Sequence, residues 1–290
     1  MRTLKLGLPK GSLQQATFDM MKRAGFNVYA GARSYYPDID DPELTGRLIR
    51  PQDMSRFVET GIIDAGLTGK DWVEENGSKV VTVQELVYAK QMLTPVRWVL
   101  AVPNASKIKS VKDLEGKRVA TELVNVTKRY LKANGVKAEV EFSHGATETK
   151  APDLVDAIVE ITETGSSLQA NNLKIIDEVM ESVTLLIANK DSWDNPWKRR
   201  KVENLAMLFL GSLVGQEKVG LKMNVSQDKV DAVLKLLPAL KRPTMSPLAE
   251  EGWYAVETVL DEAVVRKLVP ELKRAGAQGI IEFPLNKVIP

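Results

Sequence analysis

An apolar run over residues 154–161 is the feature that most constrains the fold of this chain. Only Asp156 and Glu160 interrupt it, and a run of this length and composition is typical of a strand buried within a sheet. Residues 164–167 follow as Thr-Gly-Ser-Ser, and residues 168–173 are suited to opening a helix. The pattern predicts a strand, a tight turn and a helix start in immediate succession.

The turn at residues 164–167 has the composition of an anion-binding loop. A glycine among small hydroxyl residues lets the backbone fold so that its N–H groups converge, and a following helix start adds positive potential. The carboxylates of Asp156 and Glu160 suit ribose hydroxyls or a metal ion. The stretch therefore predicts a sugar-phosphate site. The residues alone leave a plain strand-turn-helix corner as the alternative, because short turns of this kind are common.

The same alternation of short apolar runs and helical patterns continues along most of the chain, which predicts an α/β fold. Segment 88–95 is interpreted as a crossing into a second lobe, and the run 183–188 as the crossing back. Two such lobes would form a clamshell with a ligand in the cleft. The predicted boundaries are residues 1–90 with 185–212 for the first lobe, 91–184 for the second and 213–290 for a separate domain.

The predicted C-terminal domain has the order βαββαβ, which indicates a ferredoxin-like unit. Such a small sandwich appended to an enzyme often binds a regulator. A purely structural or oligomerising domain is the alternative.

Composition excludes several classes of site. The chain has 40 basic and 38 acidic residues, so it lacks the global basic field of a nucleic-acid binder. It has no cysteine and a single histidine, His144, which excludes thiolate chemistry and multi-histidine metal sites. Any metal should be Mg²⁺ held by carboxylates and substrate phosphates. With no visible signal peptide or membrane-length apolar run, we expect a soluble, cytoplasmic protein without a membrane partner.

Two further segments in the first lobe have the composition of ligand sites. Lys10, Gly11 and Ser12 follow a predicted strand and precede a helix, a corner that suits phosphates or nucleotides. A second predicted strand, within residues 61–69, carries Asp64 and ends in glycines that would let a ligand approach the backbone. For Lys10, a solvated lysine at a strand end is the simpler alternative.

Several segments resemble one enzyme family in the order in which that family has them. They lie at residues 8–13, 61–69, 114–121, 154–160 with 164–168, 243–248 and 251–253, together with Asn171 and Leu173. Over essentially its whole length the chain resembles ATP phosphoribosyltransferase in its long form, the first enzyme of histidine biosynthesis.

The resemblance implies a fold and a reaction. The fold is a two-lobed, periplasmic-binding-protein-like (type II) catalytic core plus a C-terminal ferredoxin-like (βαββαβ) regulatory domain. The reaction joins ATP and phosphoribosyl pyrophosphate into N1-(phosphoribosyl)-ATP and pyrophosphate, with Mg²⁺. The resemblance also implies inhibition by histidine and homodimers that assemble into hexamers.

The resemblance, together with the motifs above, predicts the following site residues. Lys10, Asp156 and Glu160 are catalytic, the two carboxylates also being the candidate Mg²⁺ ligands. Phosphoribosyl pyrophosphate is bound by Thr162, Glu163, Thr164, Gly165, Ser166, Ser167 and Leu168. The nucleotide is bound by Gly11, Ser12, Arg50, Asp64, Gly66, Thr68 and Gly69. Histidine is bound by Thr244, Met245, Ser246, Pro247 and Leu248.

The segment 148–153, Glu-Thr-Lys-Ala-Pro-Asp, departs from the family pattern, which often has an arginine and a glycine there. Lys150 is the candidate replacement for that charge. Two other classes share parts of the architecture: a clamshell solute-binding protein without catalysis, and a prephenate dehydratase-like enzyme with a small regulatory sandwich. The first should carry a secretion signal, and the second would not need a Thr-Gly-Ser-Ser phosphate loop.

Overall fold

The computed structural model describes residues 2–31, 33–89, 93–238 and 243–289. The chain divides into two compact units, one comprising Met1–Lys22 and Phe26–Ala206 and the other Arg23–Gly25 and Met207–Pro290. The predicted boundary between the lobes at residues 90 and 91 lies outside the described residues. Among the described residues, no helix is both long enough and apolar enough to cross a bilayer.

The first unit alternates strands and helices, and the last residues of α1 and the C-terminal half of α7 extend into the second unit. In chain order its elements are β1 (Leu4–Pro9), α1 (Gln14–Ala24), β2 (Val28–Tyr29), β3 (Asp38–Ile39), β4 (Leu44–Ile49), α2 (Pro51–Glu59), β5 (Ala65–Gly69), α3 (Lys70–Asn76), β6 (Val81–Leu86), β7 (Val96–Pro103), β8 (Arg118–Thr121), α4 (Val124–Ala133), β9 (Glu139–Phe142), β10 (Ala157–Thr162), α5 (Ser166–Ala170), β11 (Leu173–Ser182), β12 (Thr184–Ala188), α6 (Lys190–Asp194) and α7 (Pro196–Gln216).

These elements form two lobes, each built on a five-stranded sheet. The strand order is β4-β1-β5-β12-β6 in the first lobe and β11-β7-β10-β8-β9 in the second. In the first sheet β1 is parallel to β4 and β5, and its leucines Leu4, Leu6 and Leu8 are fully buried. Because parallel strands end at the same edge, Lys10, Arg50 and the start of α3 lie along one side of this sheet.

The second lobe has its core between its sheet and α4. Trp98 and Leu100 of β7, Val119 of β8 and Val159 of β10 are buried in one cluster with Leu131 of α4. β10 is parallel to β8 and antiparallel to β7, so it lies in the interior of the sheet. This explains why its sequence is a nearly continuous apolar run.

Helix α3 of the first lobe joins the second lobe through buried polar contacts. Asp71 accepts a hydrogen bond of 2.7 Å from the indole N–H of Trp98. Glu75 accepts hydrogen bonds of 2.9 Å from the backbone N–H groups of Asn125 and Val126 at the start of α4. A carboxylate at a helix N-terminus satisfies N–H groups that have no partner inside the helix. The two lobes are therefore connected at α3 as well as through their crossing strands.

The second unit is a ferredoxin-like sandwich. It contains β13 (Lys218–Ser226), α8 (Val230–Leu236), β14 (Thr244–Pro247), β15 (Trp253–Asp261), α9 (Glu262–Arg274) and β16 (Gln278–Pro284), and its antiparallel sheet has the order β14-β15-β13-β16. Residues of β13 and β15 pack against both helices in one buried core. The predicted fold class, two α/β lobes plus a ferredoxin-like domain, is confirmed.

Element boundaries differ from the sequence predictions in three places. β5 begins at Ala65, after Asp64, and β10 begins at Ala157, after Asp156. The segment 174–189 was predicted to contain strand-like runs, and it forms two strands, β11 and β12. The bounds of the ten-residue β11 were not predicted, because its sequence mixes acidic and apolar residues without a clear period. Its pairing with β7 is interrupted by two irregularities in register, which accounts for the broken alternation.

Candidate active site

Residues 162–168, the predicted phosphoribosyl loop, form a tight turn between β10 and α5. Gly165 has φ 81°, a left-handed conformation that favours glycine, and it precedes the first residue of α5. Its N–H donates to the hydroxyl of Thr162 at 2.7 Å. Thr164 Oγ1 donates to Ser166 Oγ at 3.0 Å, so the hydroxyls of the loop are already grouped. Of the predicted loop residues, Thr162, Gly165 and Leu168 are buried while Thr164, Ser166 and Ser167 are exposed.

Glu160, near the end of β10, lies beside a 3-10 turn at Thr147–Thr149. Burial raises its pKa from 4.5 to about 6; the charges of Glu148 and Glu122 act in the same direction, while a hydrogen bond with Thr147 lowers the value. Glu160 is therefore a carboxylate that changes charge near pH 6 close to the phosphoribosyl loop.

This pKa predicts a pH-dependent difference between the wild-type chain and a Glu160→Gln variant. Burial favours the neutral acid, so its contribution to folding is fully present below pH 4.5 and is lost as the pH rises through about 6. The free energy of unfolding should change by at most about 2 kcal/mol, because the pKa differs by roughly 1.5 from its ordinary value and one pKa unit corresponds to about 1.36 kcal/mol. Denaturant unfolding of both proteins between pH 4 and 7 measures it. A difference in unfolding free energy that does not vary with pH would contradict the assignment.

Asp156 lies at the opposite end of β10 from the loop. It accepts a hydrogen bond of 2.9 Å from the backbone N–H of Arg118 and pairs with Lys117 at 3.4 Å. The Arg118 N–H is the main cause that holds the pKa of Asp156 below its usual range, against some desolvation and with help from Lys117.

The predicted Mg²⁺ ligands do not form one site. Asp156 and Glu160 are four residues apart along extended chain, roughly 13 Å at 3.3 Å per residue. Across the described ranges, no group of three or more Asp, Glu or His side chains is arranged to hold a metal ion. A Mg²⁺ ion shared by this carboxylate pair does not fit the structure.

The first-lobe corner brings Lys10 and Arg50 to one sheet edge, as the parallel strands require. The ammonium of Lys10 lies 3.8 Å from the centre of the Tyr35 ring, an arrangement that attracts the cation to the aromatic face. Arg50 is exposed at the N-terminus of α2, and Gly11 and Ser12 are exposed before α1. Sequence reasoning missed Tyr35, for which only its position in an aromatic pair, Tyr35–Tyr36, offered a signal.

Asp64, predicted to bind the nucleotide, lies instead at the beginning of β5, away from the sheet edge that carries Lys10. Its buried carboxylate accepts hydrogen bonds from Lys198 at 2.6 Å, Ser192 at 2.7 Å and the N–H of Lys5 at 2.8 Å. Burial alone would raise the pKa of Asp64, but these three donors hold it below its usual range. The structure thus separates Asp64 from the other predicted nucleotide-binding residues.

The remaining predicted nucleotide-binding residues, Gly66, Thr68 and Gly69, lie within β5. Gly66 is inside the strand, where an added Cβ would approach Met54 Sδ of α2 to 2.7 Å, so its lack of a side chain serves packing. Thr68 is buried and its hydroxyl donates to the carbonyl of Pro51 at 2.9 Å. Gly69 alone of these reaches the end of the strand, where it precedes α3.

A cavity of about 140 Å³, the interlobe cleft, lies between the two sheets and receives residues from both lobes. Its lining is formed by Ser12, Leu13, Pro51, Gly69, Asp71, Trp72, Tyr88, Ala89, Val96, Ile161, Glu163, Ser182, Val183 and Thr184. The structure therefore brings Ser12 and Gly69 from the first lobe together with Glu163 from the second.

Two carboxylates in the interlobe cleft have different surroundings. Asp71 is fully engaged: it accepts from Trp98 Nε1 and from the N–H of Trp72 at 2.9 Å, and burial raises its pKa. Oε2 of Glu163 is buried and accepts no hydrogen bond within the described part of the chain. Sequence reasoning missed Asp71, whose position directly after the Gly69 strand end was the available signal.

The segment 148–153 that departs from the family pattern borders the phosphoribosyl loop. Ser167 Oγ donates to Glu148 at 2.6 Å. Lys150, the predicted substitute for a missing positive charge, donates to Ser143 Oγ at 2.6 Å rather than pointing to a loop hydroxyl. The predicted histidine-binding residues, by contrast, belong to the second unit: Thr244–Pro247 is the exposed edge strand β14, and Leu248 follows it.

Comparisons with known proteins agree with this architecture. The family model for ATP phosphoribosyltransferase matches residues 50–210, and the model for its C-terminal domain matches residues 215–287. ATP phosphoribosyltransferase from Solibacter usitatus is 60% identical over 286 residues, covering 99% of each chain. The protein of that name from Pelodictyon phaeoclathratiforme is 59% identical over 288 residues, covering 99% of this chain and 98% of its own.

A solved structure is also similar. The ATP phosphoribosyl transferase (HisG:HisZ) complex from Thermotoga maritima contains a chain that is 29% identical with a TM-score of 0.60, covering 71% of this chain and 98% of that one. These matches do not favour the solute-binding or prephenate dehydratase-like alternatives. They include both the region of the phosphoribosyl loop and the ferredoxin-like domain, and the chain belongs to the ATP phosphoribosyltransferase family.

Proposed function

We propose that this chain is the glycosyltransferase that transfers the 5-phosphoribosyl group of phosphoribosyl pyrophosphate to N1 of ATP, the first step of histidine biosynthesis. Membership of the family supports the reaction class. The observation that carries the site is the left-handed turn at Gly165, with its grouped hydroxyls, next to a cleft lined by both lobes.

The loop residues Thr162, Thr164, Gly165, Ser166, Ser167 and Leu168 are assigned to the 5-phosphate. Thr164, Ser166 and Ser167 present hydroxyls at the surface, and the first N–H groups of α5 have no acceptor inside the helix. Thr162 fixes the turn through Gly165, and the buried Leu168 anchors α5 on the lobe. Glu160, one residue before Ile161 of the cleft, is assigned to the ribose hydroxyls.

Lys10 and Arg50 are assigned to the pyrophosphate, because both lie where the parallel strands β1 and β4 end, on the opposite side of the sheet from Asp64. Gly11, Ser12 and Gly69 provide backbone that a nucleotide can approach. Gly66 and Thr68 stabilise β5 by packing against Met54 and by donating to the carbonyl of Pro51. Asp64 stabilises the opposite end of the strand through Lys198, Ser192 and the N–H of Lys5. Asp156 accepts a hydrogen bond from the N–H of Arg118 and pairs with Lys117, and it is assigned to positioning the start of strand β10.

The chemistry needs positioning and charge stabilisation more than a base. The lone pair of adenine N1 forms a bond to ribose C1 as the C1–O bond breaks, and the bonding electrons leave with pyrophosphate. Adenine N1 is already nucleophilic, so holding the two substrates in line supplies much of the rate. Lys10 and Arg50 would stabilise the charge that develops on the leaving group.

Magnesium, in this proposal, comes bound to the substrate. Mg²⁺ is usually held by one or two carboxylates together with substrate phosphates. The separation of Asp156 from Glu160 agrees with an ion whose ligands are mainly pyrophosphate oxygens.

Regulation and assembly are part of the proposal. We place inhibitory histidine at Thr244, Met245, Ser246, Pro247 and Leu248. Strand β14 is exposed, and its outer edge pairs with no other strand in the described part of the chain, so it offers N–H and C=O groups to a ligand or another chain. We also propose that the chain forms homodimers that assemble into hexamers.

A turnover assay with ATP, phosphoribosyl pyrophosphate, Mg²⁺ and pyrophosphatase tests the function, with phosphoribosyl-ATP followed by its absorbance. We expect product, and less of it when histidine is added. Product that is insensitive to histidine would keep the enzyme and contradict the regulatory role of β14. No product from folded protein would contradict the proposed function.

A further inference from the structure

Glu163 differs from the other residues of the phosphoribosyl segment. It comes directly before Thr164, but its side chain lines the interlobe cleft instead of the phosphate turn. Its Oε2 is buried and accepts no hydrogen bond from the described residues. A buried acceptor without a donor is costly, and a hydrogen-bond donor on a bound ligand would satisfy it.

The remainder of the cleft lining restricts what that partner is. Among the described lining residues there is no lysine, arginine or histidine, and the only other carboxylate, Asp71, already has its donors. Much of the wall is apolar or aromatic, with Leu13, Trp72 and Ile161 contributing from both lobes. A mainly apolar cleft with one open carboxylate oxygen suits an aromatic ring that carries an N–H donor and gains positive charge.

We infer that Glu163 accepts a hydrogen bond from the 6-amino group of the adenine ring and so selects a 6-aminopurine nucleotide. This inference rests on the proposed function, because it requires ATP to be the acceptor substrate. It moves Glu163 from the predicted phosphoribosyl contacts to the nucleotide base.

The chemistry at N1 gives this contact a role in the reaction as well. When N1 bonds to ribose C1, the positive charge on the ring is shared with the neighbouring 6-amino group. A hydrogen bond from that group to a carboxylate is therefore stronger in the transition state than in bound ATP. Glu163 would both recognise the base and stabilise the charge, without having to take a proton.

Paired variants and nucleotides test the inference. The variants are Glu163→Ala and Glu163→Gln, and the control is Glu139→Gln, an exposed carboxylate on edge strand β9 of the same lobe. Dissociation constants are measured by calorimetry for ATP and for purine riboside triphosphate, which lacks only the 6-amino group. Steady-state kcat and KM for both substrates are measured in parallel.

The expected result is a nucleotide-specific loss. Glu163→Ala should weaken ATP binding on the order of 10- to 100-fold, the range for a hydrogen bond to a charged group, and leave purine riboside triphosphate almost unchanged. Glu163→Gln, which keeps an acceptor oxygen but not the charge, should lose more in kcat than in ATP affinity. Glu139→Gln should match the wild type.

Two outcomes would overturn the inference. Equal weakening of both nucleotides would show that Glu163 does not contact the 6-amino group. An increase in KM for phosphoribosyl pyrophosphate alone would assign Glu163 to that substrate, as the sequence predicted. Wild-type turnover with ATP is measured in the same series. If the wild type forms no product, the proposed function itself is wrong, and this result is distinct from the two above.

Discussion

A Gly165→Val variant is expected to lose most of its affinity for phosphoribosyl pyrophosphate while it remains folded. The left-handed conformation at φ 81° costs a residue with a Cβ roughly 1–2 kcal/mol, and most for a β-branched side chain. The turn would relax away from the geometry that groups its hydroxyls. By analogy with loss of one oxyanion donor, about 2.7–4 kcal/mol, kcat/KM should fall roughly 10²- to 10³-fold. Initial rates at varied phosphoribosyl pyrophosphate measure the change.

The matched control is Gly116→Val in the same lobe. Gly116 also has a positive φ, 70°. Beyond its chain neighbours, no atom of the described residues lies within 4 Å of an added Cβ, so the backbone strain is similar while the phosphoribosyl loop is untouched. Thermal unfolding of both variants shows whether they fold. If Gly165→Val leaves KM for phosphoribosyl pyrophosphate unchanged, or if Gly116→Val raises it equally, the loop assignment is wrong.

Removing the carboxylate of Asp64 is expected to produce the largest change in stability. In Asp64→Ala, the ammonium of Lys198 and the hydroxyl of Ser192 lose their buried acceptor. Breaking a buried ion pair from one side typically costs 3–5 kcal/mol, and because the Lys198 side chain is 30% exposed we expect about 3 kcal/mol. Urea unfolding at pH 7 measures the loss.

A double variant and a pH series separate this effect from nucleotide binding. Adding Lys198→Met to Asp64→Ala removes both charges and should recover part of the stability. Because the folded-state pKa of Asp64 is lowered, its contribution is present above its ordinary pKa of 3.8 and should disappear only as the pH falls below that value. Unchanged stability together with a higher KM for ATP would restore the sequence prediction that Asp64 contacts the nucleotide.

Asp64 and Gly66 show where motif reasoning reaches its limit. The glycine-rich segment correctly indicated a strand followed by a helix, since that depends on local composition. Which end of the strand carries the ligand depends on where the strand begins, and β5 begins one residue after Asp64. The deciding contact comes from Lys198, 134 residues away, which no local pattern reveals.

The second lobe shows the same division. The strand and turn around Gly165 were predictable because a buried interior strand and a left-handed glycine both leave strong marks in sequence. The engagement of Asp156 by Arg118 and the open oxygen of Glu163 were not, because each depends on what a neighbouring strand or the other lobe presents.

The capping of α4 by Glu75 has a thermodynamic consequence. If the first lobe unfolded alone, two N–H groups of α4 and the indole N–H of Trp98 would lose their acceptors on α3. Each lobe therefore stabilises the other. Partial unfolding of one lobe is then disfavoured, and the pair should melt as a single cooperative block in calorimetry, with amide exchange in both lobes slowing or accelerating together. A destabilising substitution in the core of one lobe would consequently speed amide exchange in the other lobe as well.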